Sequence, residues 1–161
     1  MKIKELMSED IVTLDVQSDS KTDVIKELAT LLFDADRITN LDGFIEEIEK
    51  REALGSTGVG FGVAIPHAKT KFVKHPSLAF GRRSTGIDYD SLDGEPTDLF
   101  FMIAAPEGGE NLHLKTLAKL SRGLMDEDFR TSLRQAKTKK ELINTLSQID
   151  KEINYQKSSN N

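Results

Sequence analysis

Cysteine and tryptophan are both missing from the 161 residues. Without cysteine there can be no disulfide framework, no thiolate metal cage and no cysteine nucleophile. Long apolar runs are also lacking: none approaches the roughly 18 residues of a membrane-spanning helix. The opening Met1–Leu6 does not carry the apolar stretch of about 7–15 residues that marks a secretion signal. A cytoplasmic location is the expectation. Basic charge is not in excess, since 22 Lys and Arg stand against 27 Asp and Glu for a formal net charge of −5. That balance argues against a nucleic-acid binder, whose domain is usually basic. What remains is 37% hydrophobic and 30% charged, the composition of a soluble globular chain. A chain of this length buries about 70% of its unfolded surface, enough for one core without metal or disulfide staples.

No internal repeat is visible. Ile11 to Val16 alternates apolar and polar residues as a strand does. Ser20 precedes a helical stripe of Val24, Ile25, Leu28, Leu31 and Leu32, and Asp34 to Asn40 is a polar connector. A second amphipathic helix covers Leu41 to Ala53, with Gly55 as its stop. The glycine-dense segment Gly55 to Gly62 follows and reads as turns or bulges. Val63, Ala64 and Ile65 form a short buried strand that Pro66, having no N–H, should end. Ser77 to Arg83 is another strand, and Asp93-Gly94 is a turn signal. The continuous apolar run Leu99 to Ala105 suits a central strand covered on both faces. A loop from Pro106 leads to a helix from Leu112 to about Met125, with a shorter helix after Asp126 turning Phe129 and Leu133 inward. Thr138 and Glu141 make a capping box for a last helix carrying Leu142, Ile143, Leu146 and Ile149. Interleaved strands and helices around one buried strand define an α/β layered single domain.

The chemistry-bearing residues are few. The glycine run is not followed by Lys-Ser or Lys-Thr, so it is no phosphate-binding Walker loop, and it does not open a helix as a dinucleotide fingerprint would. There are three histidines, His67, His75 and His113. His67 follows Pro66 at the end of a buried strand, and open α/β sheets place ligand chemistry at strand ends. A neutral imidazole nitrogen there can attack phosphorus or a carbonyl, bind a metal, or simply hydrogen-bond at the strand end. His113 lies on the first turn of a helix, where orphan N–H groups and the helix dipole favour an anion, and a second imidazole can donate to a phosphate oxygen. The same residue on a solvated first turn need do nothing. His75, before Pro76 in a lysine-rich stretch, reads as a loop residue. A zinc site needs three or four ligands, and no His-Glu-x-x-His motif supplies them, so no metal is expected.

Glu52 to Ala68 resembles the active-site signature of enzyme IIA of the phosphoenolpyruvate-dependent sugar phosphotransferase system, fructose/mannitol class. Glu52, Val59-Gly60 and Val63-Ala64-Ile65-Pro66-His67-Ala68 fill every constrained position of that signature. Asn111 to Arg122 is similar to the family's second-histidine helix. The resemblance implies a mixed, mostly parallel sheet flanked by helices, of the kind shared by phosphotransferases and anion-transport proteins. It implies one such domain over residues 1–153 and a frayed tail over 154–161. It also implies a cytoplasmic phosphoryl carrier without cofactor. The carrier protein HPr would load His67, on Nε2, and enzyme IIB would unload it, to phosphorylate a sugar entering through the membrane component IIC. His113 would orient or stabilise the phosphoryl group, and Arg51 would balance its charge. Several members carry an acid six positions before the active histidine; here that position is Phe61. Phe61 and Phe72 are expected around His67 as apolar docking contacts. Two other outputs fit the same resemblance. One is a nitrogen-type regulatory IIA acting by phosphorylation-dependent protein binding. The other is a non-catalytic scaffold like the cytoplasmic domains of anion transporters, which the presence of both His67 and Arg51 argues against.

Overall fold

Each expected helix forms, and four of the five begin where a side chain accepts an orphan backbone N–H. In the computed structural model, which describes residues 2–108 and 111–151, Ser20 accepts from the Asp23 N–H to start α1 (Lys21–Asp34). Asn40 accepts from the Gly43 N–H at 2.9 Å to start α2 (Leu41–Ala53). The next helix, α3 (Leu112–Gly123), has no side-chain cap; its preceding residue Asn111 is left-handed at φ 45°. Asp126 caps α4 (Glu127–Gln135) and Thr138 caps α5 (Lys139–Leu146). Glu141 completes the expected box one residue early, accepting from the Lys137 N–H at 3.1 Å. The tail expected to fray from Asn154 lies outside the described residues.

The strands are β1 (Val12–Thr13), β2 (Gly58–Gly60), β3 (Val63–Ala64), β4 (His67–Thr70), β5 (Ser77–Ile87) and β6 (Thr97–Pro106). They form one sheet in the order β1-β5-β6-β3-β2, with β4 also paired to β6. Three of the five pairings are parallel (β1 with β5, β3 with β6, β4 with β6), and two are antiparallel. Alternation along β6 explains its unbroken apolar run. Leu99, Phe101 and Ile103 face α3, α4 and α5 through Leu120, Leu133 and Leu142, while Phe100, Met102 and Ala104 face α1 and α2 through Leu28, Phe44 and Ile48. The sheet is thus covered by helices on both faces.

Three elements differ from expectation. The strand read over Ile11–Val16 contracts to β1, because Ile11 closes a 3-10 turn, Glu9–Ile11. The glycine run contributes β2 and a two-residue hairpin into β3, with Phe61 (φ 59°) and Gly62 (φ 79°) at its tip. Positive φ at both central residues is what a type I′ hairpin requires. Pro66 does not end the ladder either. It removes one donor, but its carbonyl still accepts from the Ile103 N–H at 2.9 Å, and pairing with β6 resumes as β4.

Candidate active site

The outer edge of the sheet changes cover at Pro66. β2 shields β3, with Gly58 opposite Ala64 and Gly60 opposite Val63, and extends no further. β4 has no second strand partner among the described residues. His67 is the first residue of β4, opposite Ile103. It lines an open depression of about 400 Å³ between α2 and α3, together with Glu47, Lys50, Arg51, Lys69 and His113.

The imidazole is held closely. The ring is largely enclosed: His67 is 9% exposed. The reason is its place at the start of a strand packed between two helical layers. Its Nδ1 lies 2.8 Å from the Ile65 carbonyl. A carbonyl oxygen only accepts, so Nδ1 carries the hydrogen, and in the neutral ring the lone pair is on Nε2. Among the described residues Nε2 has no hydrogen-bond partner, and the ring lines the open depression.

His113 stands beside it on the first turn of α3, with ring centroids 6.4 Å apart and planes inclined by 31°. Its Nδ1 is buried without a hydrogen-bond partner. Burial pushes its pKa below the ordinary histidine range, and the neighbouring Lys69 and any proton gained by His67 push the same way. Arg51, in the last turn of α2, donates from Nη1 to the Gly55 carbonyl at 2.9 Å and lines the same depression. Lys50 is engaged by Glu47 at 3.1 Å and Glu46 at 3.8 Å.

His67, His113 and Arg51 are therefore brought together, and His75 lies outside the depression. Phe61 and Phe72 do not line it. Phe61 is 68% exposed at the hairpin tip, its ring 4.8 Å from the Arg130 guanidinium. Phe72 packs on Gly43 of α2, where a Cβ would come within 2.8 Å of its ring. The exposed apolar residues at the rim are instead Leu54 (85%) and Leu114 (51%). Sequence reasoning also missed Lys69. Strand parity puts it on the His67 face, but the strand had been ended at Pro66. The described residues contain no cluster of three or more potential metal ligands, and no helix among them is long and apolar enough to cross a membrane.

The family profile of the phosphoenolpyruvate-dependent sugar phosphotransferase system, EIIA 2, matches residues 5–149. The chain belongs to this family. EIIA relatives cover it almost end to end. It is 45% identical over 151 residues to the PTS system fructose-specific EIIABC component of Bacillus subtilis, spanning 94% of this chain but only 24% of that protein. The PTS system fructose-specific EIIA component of Haloferax volcanii is 39% identical over 140 residues, 87% of this chain and 91% of that one. Among solved structures, the nitrogen regulatory protein IIA-Ntr of Neisseria meningitidis superposes with a TM-score of 0.83 at 33% identity, over 89% of this chain and 98% of that one. The expected layered EIIA fold, a mixed and mostly parallel sheet flanked by helices, is the one observed.

Proposed function

We propose that this EIIA chain is a cytoplasmic phosphoryl carrier that takes the group from phospho-HPr on His67 Nε2 and hands it to a fructose-type enzyme IIB. IIB in turn serves a sugar entering through IIC. The observation that carries the reading is the Nδ1 contact with the Ile65 carbonyl at 2.8 Å. In the neutral ring this puts the nucleophilic lone pair on Nε2, in a ring that borders the depression. Nε2 gives its lone pair to phosphorus, the donor's bond to phosphorus breaks, and that electron pair stays with the donor. Onward transfer reverses the roles, the N–P pair returning to Nε2 as the acceptor attacks. The incoming group adds about −1.5 to −2 charge, by analogy with phosphoserine. Arg51 supplies a guanidinium at the rim, and His113, whose pKa burial lowers, supplies a ring close to the nucleophile. A shallow depression suits in-line transfer between two proteins better than a deep pocket.

Mixing the protein with phosphoenolpyruvate, enzyme I and HPr should add one phosphoryl group by mass, and His67→Ala should add none. Normal labelling of His67→Ala would reject the assignment. His113→Ala should fold and slow transfer in at least one direction; unchanged rates both ways would remove its role. The likeness to the Neisseria IIA-Ntr structure favours a second reading, a regulatory IIA whose phosphorylation state governs contact with other proteins. Passage of label from His67 to a fructose-type IIB selects the first reading, and retention of label selects the second.

A further inference from the structure

The phosphoryl route leaves several buried charged side chains unused, Glu52 among them. Glu52, the penultimate residue of α2, is 9% exposed, yet every contact of its carboxylate is a donor. Oε1 accepts from the Thr57 N–H at 3.0 Å and pairs with Lys21 Nζ at 3.0 Å. Oε2 accepts from Thr57 Oγ1 and from the Tyr89 hydroxyl at 3.2 Å. Tyr89 is fully buried, and Lys21 Nζ lies 4.7 Å from its ring centre. Burial and the Glu52 charge together push the Tyr89 phenol far upward, so it remains a donor. Three separated pieces of chain converge on this one group: the start of α1, the entry to β2 and the segment after β5.

The hydrogen bonds continue past Thr57 toward the active-site ring. The Thr57 carbonyl accepts from the Ile65 N–H at 3.0 Å. The Ile65 carbonyl, on the far side of that residue, accepts from His67 Nδ1 at 2.8 Å. Glu52 also fixes the turn that carries Gly55, whose carbonyl receives Arg51. Burying a carboxylate is costly unless its lone pairs are all met, and of the groups that meet them here Thr57 leads on to His67.

We propose that Glu52 is a positioning residue for His67, holding the Ile65 carbonyl against Nδ1 through Thr57 and so keeping Nε2 free of hydrogen. This rests on the phosphoryl-carrier reading for its consequence, but the tautomer is set whether or not transfer occurs. Glu52→Leu removes both acceptors and leaves Thr57 and Ile65 unanchored. Glu52→Gln keeps an oxygen for the Thr57 N–H. Thr57→Val deletes only the hydroxyl contact and keeps that N–H bond.

The test is ¹⁵N NMR of the imidazole nitrogens in the unphosphorylated full chain, alongside rates of phosphoryl uptake from phospho-HPr. In the wild type and Glu52→Gln, His67 should show the Nδ1–H tautomer alone. In Glu52→Leu the Nε2–H tautomer should appear, and uptake should slow by about 10- to 100-fold, the scale of a misplacement near 1 Å. Thr57→Val should give an intermediate tautomer mixture, and it decides the question should Glu52→Leu not fold. A wild-type tautomer in folded Glu52→Leu, or in Thr57→Val when the leucine variant is unfolded, overturns the proposal. Absence of label in the wild type would instead overturn the carrier reading and leave the tautomer result standing.

Discussion

Gly62 and Gly94 offer a matched pair for separating backbone strain from side-chain displacement. Both have positive φ, 79° and 74°. An alanine in the left-handed region costs about 1–2 kcal/mol. At Gly94 a Cβ meets no atom within 4 Å, so Gly94→Ala should lose that amount and no more. At Gly62 a Cβ would overlap Asp98 Oδ1 and approach Arg134 Nη2 to 2.6 Å. That pair is joined at 2.7 Å through Nε, and Arg134 also donates to the Phe61 carbonyl at 2.8 Å. The ion pair is partly exposed, with side chains 32% and 21% accessible, so its loss counts for about 0–1 kcal/mol after screening. The carbonyl bond adds about 0.5–1.5 kcal/mol. Gly62→Ala should therefore fall below Gly94→Ala by about 0.5–2.5 kcal/mol. The unfolded-state gain of replacing glycine, about 0.4–1 kcal/mol, cancels in the difference. Urea denaturation at a common slope measures it. Equal midpoints for the two variants would refute the steric reasoning.

Arg82 Nη1 donates to the Leu133 and Ala136 carbonyls at 2.9 and 2.8 Å, holding the end of α4 on β5. Arg82→Met should cost about 2–3 kcal/mol in urea and speed amide exchange in α4, and unchanged exchange there would remove the tie. Phe44, fully buried against the sheet, should cost about 3–5 kcal/mol as alanine by the same denaturation; a loss under about 1 kcal/mol would mean the layer it fills is not packed as described. His113 should titrate below the ordinary histidine value of about 6.5 in NMR. The unfolded chain then binds the proton first. His113 thus makes stability rise with pH between its folded pKa and about 6.5, with no further change above. Lys69→Met should move the His113 pKa upward, and a downward move would refute the electrostatic cause.

Helices were legible because their signals are local. Ser20 and Thr138 cap as their spacing from the apolar stripes predicts, and Asn40, read only as part of a connector, caps α2 as well. β6 was legible because a run buried on both faces has no polar interruption. β4 was not, because proline was read as a stop when only its missing N–H is at stake; on a ladder it can still accept. The Phe61–Gly62 hairpin escaped because phenylalanine is a poor residue for positive φ. It is held there by Asp93, which accepts from its N–H at 3.1 Å, and by Arg134 on its carbonyl. At the site, His67 and His113 stand out by residue type and place in the sequence, and Arg51 only through the family resemblance; the structure places all three around one depression. Lys21 and Tyr89 could not, since they meet Glu52 only through long-range packing of α1, α2 and the segment after β5.

The Ile65 carbonyl has a consequence for the energetics of a group that must leave as easily as it arrives. With hydrogen retained on the far nitrogen, a ring that lets go of phosphorus departs as neutral imidazole rather than as imidazolate, a far poorer leaving group. A carboxylate in the carbonyl's place would clamp the cationic, loaded ring more firmly and make it reluctant to discharge. Under the proposed carrier function, an uncharged dipole would orient the ring without trapping it and keep transfer reversible.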